Sequence, residues 1–192
     1  VNFYTDGGLD GDVVFSEDFA GGSSDQFTIE SDGSDCAWLY APTDLDANNF
    51  NQDNGGALPS GANFNSDFVF LDSDECGTSG VSVNSYLVSA PFDASAPGNY
   101  ILTLSQQFHA LNESFARIEV FDGTTWNEVA YYTGDDLGYP NPAVITSLDI
   151  TTATGGSSVA QVRFQYSSGG DWWCAIDDVV IVRADCVAPP GL

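Results

Sequence analysis

The chain contains no lysine and no methionine, and its only cationic side chains are three arginines and one histidine. Against them stand 28 acidic residues, for a formal net charge of −25 over 192 residues. That field disfavours nucleic acid and anionic membrane surfaces as partners, because a phosphate-binding face needs clustered cations. Long hydrophobic runs are absent as well. No apolar stretch reaches the ~18 residues of a membrane-spanning helix, so no membrane insertion is expected. No leader is visible and the chain does not open on Met, which fits a mature fragment. Nucleophile signatures are missing too: neither G-x-S-x-G nor H-E-x-x-H occurs. The one histidine, His109, falls on the polar face of an alternating segment and reads as an ordinary surface residue. Acids are abundant, yet no E-x-D-x-x-E strand arranges them for glycoside cleavage. The chain is therefore expected not to be an enzyme.

What is present is a globular composition, 43% hydrophobic and 13% aromatic. The length suits one all-β domain with a full core. Convincing strand patterns run through VVFSEDF (13–19), FTIE (27–30), CAWLYA (36–41), DFVFLD (67–72), VSVNSYLVSAPF (81–92) and YILTLSQQFHA (100–110). FARIEVFDGTTWNEVAYY (115–132) reads as a hairpin whose Asp122-Gly123 pair supplies the turn. AVITSLDI (143–150), VAQVRFQYSS (159–168) and WWCAIDDVVIV (172–182) complete the series. Turn signals every 8 to 15 residues, without an amphipathic helical pattern, predict a two-sheet antiparallel jelly-roll β-sandwich. Residues 1–12 read as a Gly/Asp-rich lead-in, 13–185 as the sandwich, and 186–192, with Pro189-Pro190, as a linker. DGGLDGD (6–12) lacks the spacing of an EF-hand loop.

Two of these segments carry acids among apolar neighbours. Strict alternation puts Glu17 beside Val13, Phe15 and Phe19, and puts Asp178 beside Ile176, Val180 and Val182, with Asp177 beside Val179 and Ile181. A buried carboxylate needs a partner. With cations so scarce, a hard divalent ion, Ca²⁺ first, is the economical one. Glu17, Asp72, Asp74, Asp177 and Asp178, from three separated segments, are the candidate ligands. Loop aromatics suit stacking on sugar rings; Trp126, Tyr132 and Tyr139 are the candidates, the last in the rigid loop Tyr139-Pro140-Asn141-Pro142.

Taken in order, SEDF, DSDECG before VSVNSYLVSAPFD, YILTLSQQF, RIEVFDGTTWNEV, VRFQYSS and the final WWCAIDDVVIV resemble the choice-of-anchor J, or cleaved-adhesin, domains of secreted bacterial proteins, MAM-like in shape. The resemblance covers roughly residues 13–183. It implies a jelly-roll sandwich carrying structural Ca²⁺, within a larger secreted or cell-surface protein that recognises a glycan or a cell-surface protein. A spacer role for other domains is the alternative. It places the calcium ligands at Glu17 or Asp18, in or beside the Asp72-Ser73-Asp74 loop, and at Asp177 or Asp178. The tail CVAPPGL looks like the opening of a fibronectin type III domain, so neighbouring domains of the same polypeptide are expected partners.

Four cysteines in an acidic chain fit an extracellular, disulfide-permissive compartment. An extended 174–182 strand spans about 26 Å, too far for four further residues to return, which disfavours Cys174–Cys186. If the 72–74 loop and Asp177 share an ion, Cys76–Cys174 with Cys36–Cys186 is the preferred pairing. Cys36–Cys76, with the other two unpaired, is the alternative.

Overall fold

A computed structural model describes residues 11–32, 36–41, 64, 67–73, 83–110, 114–139, 142–170 and 172–184. Eleven strands occur among them: β1 (Asp12–Glu17), β2 (Phe27–Ser31), β3 (Leu39–Ala41), β4 (Phe68–Asp72), β5 (Val83–Ser89), β6 (Asn99–Phe108), β7 (Phe115–Phe121), β8 (Trp126–Thr133), β9 (Val144–Asp149), β10 (Gln161–Ser168) and β11 (Trp173–Ala184). One helical turn, α1 (Thr151–Thr154), is the sole helix described. The strands form two antiparallel sheets, in the orders β3-β4-β11-β6-β9 with β1 also on β11, and β2-β5-β10-β7-β8. This is the expected β-sandwich.

The core lies between the sheets. Leu102, Leu104 and Phe108 of β6, Val162, Phe164 and Tyr166 of β10, and Ala116, Ile118 and Val120 of β7 all face it, as period-2 alternation requires. The β7–β8 hairpin closes on the expected turn. The Asp122 carboxylate accepts from the backbone N–H groups of Thr124 and Thr125, each at 2.8 Å, while Gly123 takes a φ of 93°.

The ladders are irregular in three places: once between β7 and β8, at Ile118 and Glu119, and twice at β11. Along one edge, β11 pairs with β6 from Cys174 to Ala184. Its other edge is shared: β4 pairs as far as Ile176, and β1 takes over at Val179. Between them β11 bulges. Ser105 pairs with Asp177 and Thr103 with Val180, so Asp178 and Val179 stand opposite Leu104 alone. Asp178 adopts a φ of 50°. The bulge resets the phase, so Ile176 and Val179 both face the core, followed by Ile181. The expected grouping of Asp177 with Val179 and Ile181 is corrected accordingly. A second bulge, between Val13 and Phe15, sends Val13 to solvent while Phe15 stays buried. The expected common face of Val13, Phe15 and Glu17 therefore breaks at Val14.

These burial assignments separate two isoleucines. Ile181→Ala, at a fully buried position, is expected to cost about 2–5 kcal/mol. Ile145→Ala, on edge strand β9 and 68% exposed, is expected to change stability by no more than about 0.5 kcal/mol. Urea denaturation of the two variants checks both.

Candidate functional site

The outward face of the five-stranded sheet gathers two of the three arginines. Its central strands β10 and β7 pair so that Arg163 stands opposite Glu119 and Gln165 opposite Arg117, with alternate residues facing inward. Strand β8 sets Trp126 beside Phe121 and Tyr131 beside Arg117, and β5 sets Tyr86 beside Gln165. Arg163 Nε donates to Glu119 Oε2 at 2.7 Å. The Arg163 guanidinium lies 4.5 Å from the Tyr86 ring centroid and 4.2 Å from that of Trp126, between two aromatic faces. Arg117 pairs with Glu128 at 3.1 Å and sits over the rings of Phe115 and Tyr131, at 5.2 and 5.3 Å. Gln165 Nε2 donates to Asn84 Oδ1 at 2.7 Å and to the Tyr86 hydroxyl at 2.9 Å.

Each contact removes rotamer freedom from a long side chain before any ligand arrives. Cation–π contacts contribute about 0.5–2 kcal/mol apiece, depending on desolvation. The outcome is a sheet surface of partly buried rings interleaved with fixed donors and acceptors. Glu119 and Glu128 stand opposite each other in the β7–β8 ladder, and each engages an arginine, Glu119 with Arg163 and Glu128 with Arg117.

The structure does not bring the three aromatic candidates together. Trp126 belongs to this face. Tyr132 packs against the core, its hydroxyl accepting from Gln106 Nε2 at 3.1 Å. Tyr139 lies beside the other sheet, stacked on His109 at 3.7 Å and edge-on to Trp173 at 5.8 Å. His109 is no ordinary surface residue. It is held between Tyr139 and Trp172, the latter at 4.6 Å, with Nδ1 2.7 Å from Asp136 and a side chain only 12% exposed. Tyr86, Arg163, Arg117 and Gln165 escaped the sequence reading. Their signal lay in the outward positions of ARIEV and VRFQY and in the rarity of arginine.

A second constellation sits at the β11 bulge, where β4 gives way to β1. Asp177 is buried, and its Oδ1 accepts from the Asp178 N–H at 2.7 Å. Burial first, then the charges of Asp178, Asp18 and Asp67, push its carboxyl up to about 8. Asp178 is raised by burial and by Asp18. Asp18 accepts from Ala20 N–H and Asp67 from Gly21 N–H, each at 3.1 Å, so the turn after β1 is tied to the start of β4. Asp67 was not among the candidates. Glu17 is occupied in the same turn, its two oxygens accepting from Phe19 N–H at 2.8 Å and from the Ser24 hydroxyl. Asp72 stands at the far end of β4, opposite Trp173, whereas Asp177 lies beyond the Val69–Ile176 pair. The expected sharing of one ion by Asp72 and Asp177 is not what the register provides. Asp74 lies outside the described residues. Among the described residues no three His, Cys, Asp or Glu side chains are arranged to hold a metal ion.

The preferred Cys76–Cys174 pairing is corrected: Cys174 is a free, buried thiol. Its place on β11 between Leu71 and Phe108 points it into the core, where aliphatic and aromatic side chains surround it. Cys36 is buried and disulfide-bonded. Cys76 and Cys186 lie outside the described residues.

No family model matches the chain, and no curated protein matches it. Solved structures do. The K3 cleaved adhesin domain of Lys-gingipain from Porphyromonas gingivalis W83 is 18% identical with a TM-score of 0.58, covering 88% of this chain and 97% of that one. The CBM22-1 xylan-binding domain of Paenibacillus barcinonensis Xyn10C gives 10% and 0.51, covering 94% and 99%. TmCBM61, solved with β-1,4-galactotriose, gives 15% and 0.50, covering 86% and 94%. The chain has an adhesin-like β-sandwich fold. At these identities the fold is what is shared.

Burial pushes the Cys174 thiol far above its ordinary range, leaving almost no thiolate to react. A thiol reagent is therefore expected to leave Cys174 unmodified in the native protein and to modify it fully in denaturant. Mass spectrometry of the labelled peptide checks this.

Proposed function

We propose that the chain is a non-catalytic glycan-binding module of a larger extracellular protein, and that the outward face of the five-stranded sheet is its binding surface. The observation that carries this is Arg163 held between Tyr86 and Trp126 and anchored by Glu119. Immobilised rings and polar groups on one face suit a sugar chain, which offers apolar ring faces and hydroxyls in alternation. The shared fold with modules described as xylan-binding and as solved with galactotriose supports it, as does the shared fold with a cleaved adhesin domain. The ordered motifs from SEDF to WWCAIDDVVIV support membership of the choice-of-anchor J, or cleaved-adhesin, family. They support secretion in the same way. No described helix is long and apolar enough to cross a membrane.

Calcium belongs to the same proposal. What supports it is the concentration of Asp18, Asp67, Asp177 and Asp178 around the β11 bulge, where burial and mutual repulsion penalise the charged carboxylates. As placed, these side chains do not themselves close a shell. Binding would need the turn after β1 to draw inward or backbone carbonyls to complete the ligation.

Two experiments test these roles. In affinity electrophoresis against immobilised xylan, β-1,4-galactan, β-glucan and mannan, Trp126→Ala and Tyr86→Ala are expected to weaken retention at least about tenfold. Tyr139→Ala, on the other sheet, is expected to leave it unchanged. Absence of retention on every glycan would leave the spacer role in its place. For calcium, an ion that binds only the folded state at a hundredfold excess over its Kd adds about 2.7 kcal/mol. The melting temperature is then expected to rise by several degrees on replacing EDTA with Ca²⁺. Asp177→Asn is expected to raise the melting temperature in EDTA near neutral pH, by removing a carboxyl that must take up a proton to be buried, and to abolish the response to Ca²⁺. Identical melting curves with and without the ion would remove calcium from the account.

A further inference from the structure

We infer that the sandwich hangs from its polypeptide by one pole and yields to tension there, a load carried along the chain unzipping β1 from β11 pair by pair. The inference is independent of the glycan-binding reading and bears on the spacer role that is its alternative.

The chain enters and leaves the described sandwich side by side. β1 and β11 are antiparallel, and the first residue of β1, Asp12, stands opposite Arg183, next to the last residue of β11. The Arg183 guanidinium pairs with the Asp12 carboxylate. Just before β1, Gly11 lies so close that a Cβ there would collide with the Arg183 carbonyl. Entry and exit therefore share one pole with the start of β6 and the end of β9, since Ala184 pairs with Asn99 and Ile101 with Asp149. Trp173, at the other end of β11, faces Asp72 at the opposite pole.

The pairing also decides which strand gives way. β11 is held by β6 to its last residue on one edge, and by β4 and then β1 on the other. Among the described residues β1 has β11 as its only strand partner, so it is the less secured of the two strands that receive the load. Five register pairs join them, and the bulge after Val13 sets the first two, Asp12–Arg183 and Val13–Val182, apart from the other three. Asp12 and Val13 are both exposed, so core packing does not hold them. Phe15, past the bulge, is the first fully buried residue of β1, edge-on to Phe27 at 5.6 Å and 6.3 Å from Phe92.

The hydrogen bonds of an antiparallel ladder run across the strands. A load entering both strands at the same end pulls along those bonds and meets them one pair at a time. A load applied at opposite ends pulls along the strands, and the pairs resist together. The Asp12–Arg183 end receives the first kind. Forced rupture is governed by the unfolding rate rather than by equilibrium stability, so a well-packed core does not by itself protect this end. A stalk that transmits tension calls for entry and exit at opposite poles. A recognition head carried on its polypeptide has no such need.

Single-molecule force spectroscopy on the full chain tests the inference. In one arrangement the molecule is held through its two termini. In the other it is held through its C-terminus and an azide-bearing residue in place of Ser16, which is exposed and pairs with Val180 towards the far end of the ladder. The second arrangement loads the ladder along its length. An unchanged melting temperature shows that the label leaves the fold intact; should it fall, Ala20, exposed in the turn after β1, takes the label instead. Expected is a rupture force several-fold lower through the termini than through position 16. Equal forces in the two arrangements, or a molecule that is stronger when pulled by its termini, would overturn the inference. Either result stands whether or not the chain is retained on a glycan, so the two roles are tested separately.

Discussion

The edge of β11 opposite β6 has two partners to satisfy, and the chain resolves this by breaking the strand's regularity. β4 takes the first part of that edge and β1 the last, approaching from opposite ends of the sequence. A regular strand cannot serve both in a single phase here, and the extra residue at Asp178 absorbs the mismatch. Much else follows from that local irregularity. It keeps Ile176, Val179 and Ile181 in the core together. It also opens a gap between β4 and β1, into which the turn after β1 brings Asp18 beside Asp67, Asp177 and Asp178. Burial there makes the charge of Asp177 and Asp178 expensive.

The opposite sheet is governed by a different scarcity. In a chain with three arginines and 28 acids, an arginine has no shortage of carboxylates to choose from, and register makes the choice. The β10–β7 ladder fixes Glu119 opposite Arg163, while the β7–β8 hairpin brings Glu128 within reach of Arg117. Aromatic rings on adjacent strands then close over both guanidinium groups. Such a surface is ordered in advance. A ligand that docks on it gives up its own freedom without also having to freeze the protein's side chains, which is how a small polar interface reaches useful affinity.

Wherever one residue follows another in unbroken alternation, the residues announce their side of the sheet. Leu102, Leu104 and Phe108 were legible as inward for that reason, and the Asp122-Gly123 turn was legible because few other pairs adopt its backbone angles. The bulges were not legible. Neither Val14 nor Asp178 differs in type from residues that continue a strand, and each irregularity shows only in the register of its strand against a neighbour. The calcium candidates suffered from the same gap. Asp72 and Asp177 looked like companions, but they belong to opposite ends of the β4–β11 ladder, while Asp67, which read as a strand's first residue, stands near Asp177. His109 was misjudged because no rule of alternation foresees two aromatic rings, Tyr139 from a distant loop and Trp172 from before β11, closing on it.

By itself, the sequence determined the class of fold, the positions of the strands and the poverty of cations that makes each arginine informative. These depend on periods and compositions that a few neighbouring residues carry. Tertiary structure alone decided which strands share an edge, and therefore which acids meet, which cysteine stays free, and that Trp126, Tyr132 and Tyr139 belong to three different surroundings. Pairing between strands joins residues up to 171 positions apart, as Asp12 and Arg183 show, and nothing local in either segment encodes that choice.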